Sequence, residues 1–194
     1  MSVKIALAGY MGSGKSTAAG ILAAEGAHII DADREAKLLM QSDPEIKKKL
    51  NEIFGEQVLK NGSIAFDRLG SIVFGSVDEL RKLNAVVHPP LLERLGSLMR
   101  DRSGPVVMDA ALIPLWHIEG WFDQRIWIFA SFDVRLKRLL AKAGELTEEV
   151  IRERMLLQEK LFQSPPEGIW RYISNESSIE ALRSEVLAST RLSG

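Results

Sequence analysis

The sequence predicts an α/β fold of three layers, α/β/α, around a five-stranded parallel sheet, and two observations lead there. Short apolar runs, Val3 to Leu7, Ala27 to Ile30, Pro105 to Met108, Arg125 to Ala130 and Trp170 to Ile173, alternate with stretches of helical pattern. That alternation is how parallel sheets covered by helices on both faces are encoded. A glycine-rich turn, Gly9-Tyr10-Met11-Gly12-Ser13-Gly14-Lys15-Ser16-Thr17, also joins the first run directly to an alanine-rich helix. The 194 residues suit one domain, 1–194, and can bury a substantial core.

Gly9, Gly14, Lys15 and Ser16 match GxxxxGK[ST], the phosphate-binding loop or Walker A motif, in the strand-loop-helix context the motif requires. The fold class is therefore a P-loop NTPase fold. Polyphosphate is bulky and anionic, and only backbone N–H groups unobstructed by side chains grip it closely. Gly9, Gly12 and Gly14 leave that room and permit the positive φ angles of a tight loop. The helix opening near Lys15 aims unpaired N–H groups and the positive end of its dipole at the same anion. Gly9 and Met11 to Thr17 are thus the expected nucleotide-binding set. Lys15 is placed for the β and γ phosphates of ATP, the Ser16 hydroxyl for Mg²⁺ and the Thr17 hydroxyl for the α phosphate. A glycine turn that binds nothing is the alternative; the flanking strand and helix argue against it.

Composition narrows the class. Hydrophobic residues are 46% and charged residues 26%, with 25 Lys plus Arg against 26 Asp plus Glu. Such near-neutrality gives no basic excess for nucleic acid, and no nucleic-acid partner is expected. Without cysteine, disulfides, thiolate metal sites and cysteine nucleophiles are excluded together. No signal peptide or bilayer-length apolar run is evident, so a soluble cytoplasmic protein away from membranes, monomeric by default, is expected.

The remaining elements follow in order. The first helix, Lys15 to Glu25, stops at Gly26, a C-terminal glycine. The second strand ends at Asp31-Ala32-Asp33, a polar pair where open α/β sheets place ligands; Asp31 or Asp33 as a cap for the helix Arg34 to Met40 is the competing reading. From Ser42 to Arg102 the pattern is helical and charged, interrupted at Gly55, Gly62 and Gly75. Lys47, Lys48 and Lys49 read as a solvated face, with Ile46, Leu50 and Ile53 at helical spacing beneath them. Asp67-Arg68-Leu69-Gly70 spells the DxxG of GTP switches, but in a helical segment and with no NKxD anywhere. Leu83 to Pro90 is read as one helix ending and another beginning, with His88 as a capping or core histidine and a catalyst as the competing reading.

Asp109, at the end of the third run, is either a Mg²⁺ ligand, direct or through water, or a buried hydrogen-bonded carboxylate. After the fourth run come a helix from Asp133 with Arg135, Lys137, Arg138 and Lys142, and a helix from Leu146 to Phe162 with Arg152, Arg154 and Gln158. Those cations either close over phosphates or pair with Glu145, Glu148, Glu149 and Glu153. Ser164 to Gly168 is a loop, Ser174 to Ser177 a turn, and Ile179 to Leu187 the last helix. Trp116, Trp121 and Trp127 are open between core and interface.

Along its whole length the chain resembles the dephospho-coenzyme A kinases. The carriers are GYMGSGKST, IIDADREAK, LNAVVHPPL around His88, LKRLLAK around Arg138, RMLLQ from Arg154 to Gln158, and YISN ending at Asn175. The phosphate loop is shared by many families; Asp-Ala-Asp together with LNxxxHP is far narrower. The resemblance implies transfer of the γ-phosphoryl of ATP to the ribose 3′-hydroxyl of dephospho-CoA, with Mg²⁺, in coenzyme A biosynthesis. It makes Lys15, Asp33 and Arg138 the catalytic residues, Asp33 as the base. His88 and Pro89 fall at the acceptor site and Asn175 in the adenine-side loop. It also implies a core of about 1–40, 103–132 and 168–194, a helical acceptor-binding insertion at about 41–102 and a lid at about 133–167. Two departures stand out. Ala111-Leu112-Ile113-Pro114-Leu115 replaces the usual PLLFE, and Lys142 stands for the second lid arginine, a point charge in place of a planar fork. Another small-molecule kinase, for nucleosides or nucleotides, and a nucleotide-binding regulatory module without turnover are the competing readings.

Overall fold

In the computed structural model, which describes residues 3–142, 144, 146–164 and 168–192, the first apolar run forms strand β1 (Lys4–Ala8). Helix α1 (Lys15–Ala24) and strand β2 (His28–Asp31) follow. The expected stop at Gly26 is present: its φ is +92° and its N–H donates to the Ala23 carbonyl at 3.0 Å.

Contacts divide the chain into two units, Ala32–Arg100 and the remainder. The first comprises α2 (Ala32–Ser42), α3 (Pro44–Phe54), the hairpin β3 (Leu59–Lys60) and β4 (Ser63–Ile64), α4 (Phe66–Val73) and α5 (Val77–Arg100). Asp43 starts α3, its carboxylate accepting the N–H groups of Glu45 and Ile46 at 2.8 and 3.1 Å. Ile46, Leu50 and Phe54 are the buried positions of α3, while Ile53, Lys48 and Lys49 are exposed and Lys47 is half-buried. The DxxG stretch lies inside α4, as its helical pattern implies.

Leu83 to Pro90 corrects the sequence reading. A single helix, α5, runs through Pro89 and Pro90 where two helices were expected. Each proline removes one backbone donor, a cost of about 3 kcal/mol in an unsupported helix. Val87, Leu91, Leu95 and Met99, four residues apart, are all buried and hold both sides of the interruption on one core. Packing here overrides the local preference.

The second unit contains β5 (Val106–Asp109), the short α6 (Ile113–Trp116), β6 (Gln124–Phe129), α7 (Phe132–Leu140), α8 (Glu148–Leu161), β7 (Arg171–Ser174) and α9 (Ile179–Ser189). Residues 165–167 of the expected loop and residues 143 and 145 of the segment before α8 lie outside the described residues. The sheet is parallel throughout, in the order β2-β5-β1-β6-β7, and strand bounds differ from expectation by one residue. Ile5 to Ala8 of central β1 are buried on both faces, as that continuous apolar stretch requires. Leu22 of α1, with Leu182 and Val186 of α9, packs on Ile5, Leu7, Ile126 and Ile173, each such side chain contributing about 1.5–3 kcal/mol. Ala18 and Ala19 are buried too, and their small size brings α1 close to the sheet. Trp127 is a core residue, packed edge-on against Tyr10, Phe162 and Trp170; Trp121 is exposed.

Candidate active site

Sheet order decides what surrounds the glycine loop. With β1 central, the turn after it emerges between the turns that follow β5 on one side and β6 and β7 on the other. Gly9, Gly12 and Gly14 have φ of +151°, +77° and +100°. The Ser13 N–H donates to the Tyr10 carbonyl at 3.1 Å, and the Ala18 N–H to the Gly14 carbonyl at 3.1 Å, which starts α1. Gly14 is the cap residue, no side chain caps the helix, and no acidic residue occupies its first turn. Its leading N–H groups are therefore left for an anion.

Those groups open on a cavity of about 450 Å³ lined by Gly12, Gly14, Lys15, Ser16, Thr17, Arg138, Lys142, Asn175 and Ile179, among others. Asn175 does more than line it. Its side-chain N–H donates to the Ser13 carbonyl at 2.7 Å, and its backbone N–H continues the β6–β7 ladder by donating to Phe129 at 2.8 Å. Arg138 donates to the Asn175 carbonyl at 2.8 Å and to the Ser13 carbonyl at 3.4 Å. A carbonyl held from one side turns the N–H of the same planar peptide, that of Gly14, to the other. A Cβ on Gly14 would lie 2.1 Å from the Asn175 amide nitrogen. Gly14→Ala is accordingly expected to cost about 1–3 kcal/mol from the positive φ alone, with the clash added. Denaturant midpoints would check this; an unshifted midpoint refutes it.

Ser16 and Asp109 lie together: the Ser16 hydroxyl donates to Asp109 Oδ2 at 3.4 Å, and Asp109 is 9% exposed. Asp31 pairs in register with Asp109 across the parallel β2–β5 ladder. Hydroxyl and carboxylate are hard oxygen donors of the kind Mg²⁺ takes beside phosphate and water, so these residues fit that ion.

The cations divide between the two expectations. Arg138 and Lys142 line the cavity. Arg152 instead pairs with Glu148 at 2.7 Å, one turn away on α8. Glu145 lies outside the described residues. Arg135 does neither: it is buried, ion-paired with Glu159, and its guanidinium lies over the Tyr10 and Phe132 rings. The Met11 N–H donates to Gln158 Oε1 at 2.7 Å. Sequence reasoning missed these loop partners of Asn175 and Gln158, which sit 162 and 147 residues away with no local signal to join them.

The other expected site residues belong to the unit Ala32–Arg100. Asp33 is exposed in the first turn of α2, where a carboxylate also complements the helix dipole. Ala32, one residue earlier, follows the last residue of β2 directly. His88 lies within α5, with Pro89 next to it; burial lowers the His88 pKa to about 4, so its ring is neutral at pH 7. Glu35 of α2 accepts a hydrogen bond from Arg94 of α5 at 2.6 Å, joining the helices that carry Asp33 and His88.

Parallel sheet, glycine loop and uncapped helix define a phosphate-loop nucleotide-binding protein. The same fold is seen in a shikimate kinase from Bacteroides thetaiotaomicron, 17% identical, with a TM-score of 0.53 over 96% of this chain and 95% of that one. The chain belongs to the dephospho-CoA kinase family, whose model matches residues 3–164. It is 31% identical to the dephospho-CoA kinase of Geobacillus kaustophilus, covering 97% of this chain and 95% of that protein. The dephospho-CoA kinase of Thermobifida fusca is 35% identical over 80% and 79% of the two chains. A crystal structure from Thermus thermophilus, 28% identical, superimposes with a TM-score of 0.71 over 96% of this chain and 95% of that one.

Proposed function

We propose that this chain is an ATP-dependent kinase that phosphorylates the ribose 3′-hydroxyl of dephospho-CoA, yielding coenzyme A and ADP in the cytoplasm. The observation that carries the reading is the uncapped start of α1, which opens with Lys15, Ser16 and Thr17 on the same cavity as Arg138 and Lys142. Family membership supplies the acceptor. The 3′ oxygen attacks the γ phosphorus, the bond to the β–γ bridging oxygen breaks, and the hydroxyl proton passes to Asp33. Little of this is covalent chemistry for the protein to perform, so positioning and charge neutralisation dominate.

Lys15 takes the β and γ phosphates, and Arg138 and Lys142 add charge from the lining of the same cavity. Thr17 contacts the α phosphate, and Asn175 stands on the adenine side. Ser16 and Asp109 would hold Mg²⁺, which would supply charge neutralisation for the triphosphate. The insertion at about 41–102, with His88 and Pro89, binds the acceptor together with Asp33, and residues 133–167 serve as the lid. A kinase must also keep water from the γ phosphate.

An ATP-consumption assay with dephospho-CoA beside a panel of nucleosides and shikimate tests this. ADP is expected to accumulate with dephospho-CoA, with little formed when no acceptor is present. Preference for a nucleoside, or rapid hydrolysis without acceptor, would sink the reading.

A further inference from the structure

The Walker A pattern specifies Gly9, Gly14, Lys15 and Ser16 and leaves residues 10–13 open. Three of those open positions are gripped by α7, α8 and the residue that follows α8. The Met11 N–H donates to Gln158 Oε1 at 2.7 Å. The Tyr10 ring centre lies 5.1 Å from the Arg135 guanidinium carbon, and the Tyr10 hydroxyl donates to the Phe162 carbonyl at 3.3 Å. A Cβ on Gly12 would stand 2.9 Å from the Arg135 carbonyl oxygen. Arg135 is itself tied to α8 by the ion pair with Glu159, the neighbour of Gln158.

The bond to Gln158 has a consequence further along the loop. Carbonyl and N–H of a trans peptide point to opposite sides, so holding the Met11 N–H also aims the Tyr10 carbonyl. That carbonyl accepts the Ser13 N–H at 3.1 Å and closes the turn from which Gly14 and α1 begin. We propose that Gln158 is a positioning residue for nucleotide binding: by accepting the Met11 amide it sets the loop in its phosphate-ready form before nucleotide arrives. The inference rests on the reading of Gly9 to Thr17 as the nucleotide site. A side-chain amide suits the task because its oxygen accepts without carrying charge, whereas a carboxylate there would repel polyphosphate. Ordering the loop in advance removes part of the entropy that binding must otherwise overcome.

Gln158→Met keeps the side-chain length and removes the acceptor. In that variant Kd and KM for ATP are expected to rise roughly tenfold, the size of one lost hydrogen bond on which binding depends. KM for dephospho-CoA should stay within about twofold, because the bond acts on the nucleotide side alone. Exchange of the Met11 amide, followed by NMR, should accelerate at least ~10-fold as its acceptor is lost. Should Gln158→Met fold poorly, Gln158→Glu keeps an acceptor in place; it should leave the Met11 amide protected while weakening ATP binding, most at low salt. Unchanged ATP affinity, unchanged Met11 exchange in Gln158→Met, or equal rises in both KM values would each overturn the proposal. Wild-type protein that binds no ATP would remove the nucleotide reading itself; wild type and Gln158→Met binding ATP equally well removes only the role of Gln158.

Discussion

Lys15→Ala is expected to lower kcat by roughly 10² to 10³, the loss typical of removing one preorganised charge-stabilising group from a transition state. Lys15 is the first residue of α1 and lines the cavity, so in the proposed mechanism its ammonium and the helix N–H groups act on one anion. Transferring the γ-phosphoryl spreads negative charge over its oxygens, and a cation there favours the transition state over the bound substrate. Lys15→Arg should recover only part of the rate, because a planar fork does not reproduce a compact point charge. Steady-state kinetics with dephospho-CoA, beside thermal melts to confirm folding, make the comparison. Turnover of a folded Lys15→Ala protein within tenfold of wild type would remove Lys15 from the mechanism.

Asp33→Asn should reduce kcat by roughly 10² to 10⁴, the usual contribution of general-base catalysis, with ATP affinity little changed. The substitution keeps side-chain size and a hydrogen-bonding group in the first turn of α2, and it deletes only the charge and the basicity. Two roles are thereby separated. A residue that merely complements the α2 dipole would cost about 0.3–1 kcal/mol of stability and leave turnover intact. Kinetics and melts of one variant distinguish them: near-normal turnover removes Asp33 as the base, whatever the melt shows.

The strands and the phosphate loop were legible because their signals are local. A continuous apolar run such as residues 5–8 reads as buried on both faces, and a loop with glycines at 9, 12 and 14 reads as tight. The hairpin Leu59–Lys60 with Ser63–Ile64 escaped notice because two residues per strand leave no periodicity to read. Pro89 and Pro90 were misread as a boundary for the opposite reason. Their local signal is strong, but the buried row Val87, Leu91, Leu95 and Met99 outweighs it.

By itself the sequence determined the chemistry at the front of the chain: a strand, a glycine loop and a helix whose start is suited to phosphate, and, by resemblance, the family. Only the tertiary structure decided what holds that loop in shape. β1 lies beside β6, and β6 beside β7, so Asn175 reaches the Ser13 carbonyl; α8 brings Gln158 to the Met11 amide. Backbone patterns report on neighbours a few residues away, whereas a hydrogen bond spanning 162 residues exists only once strand order has brought its two ends together.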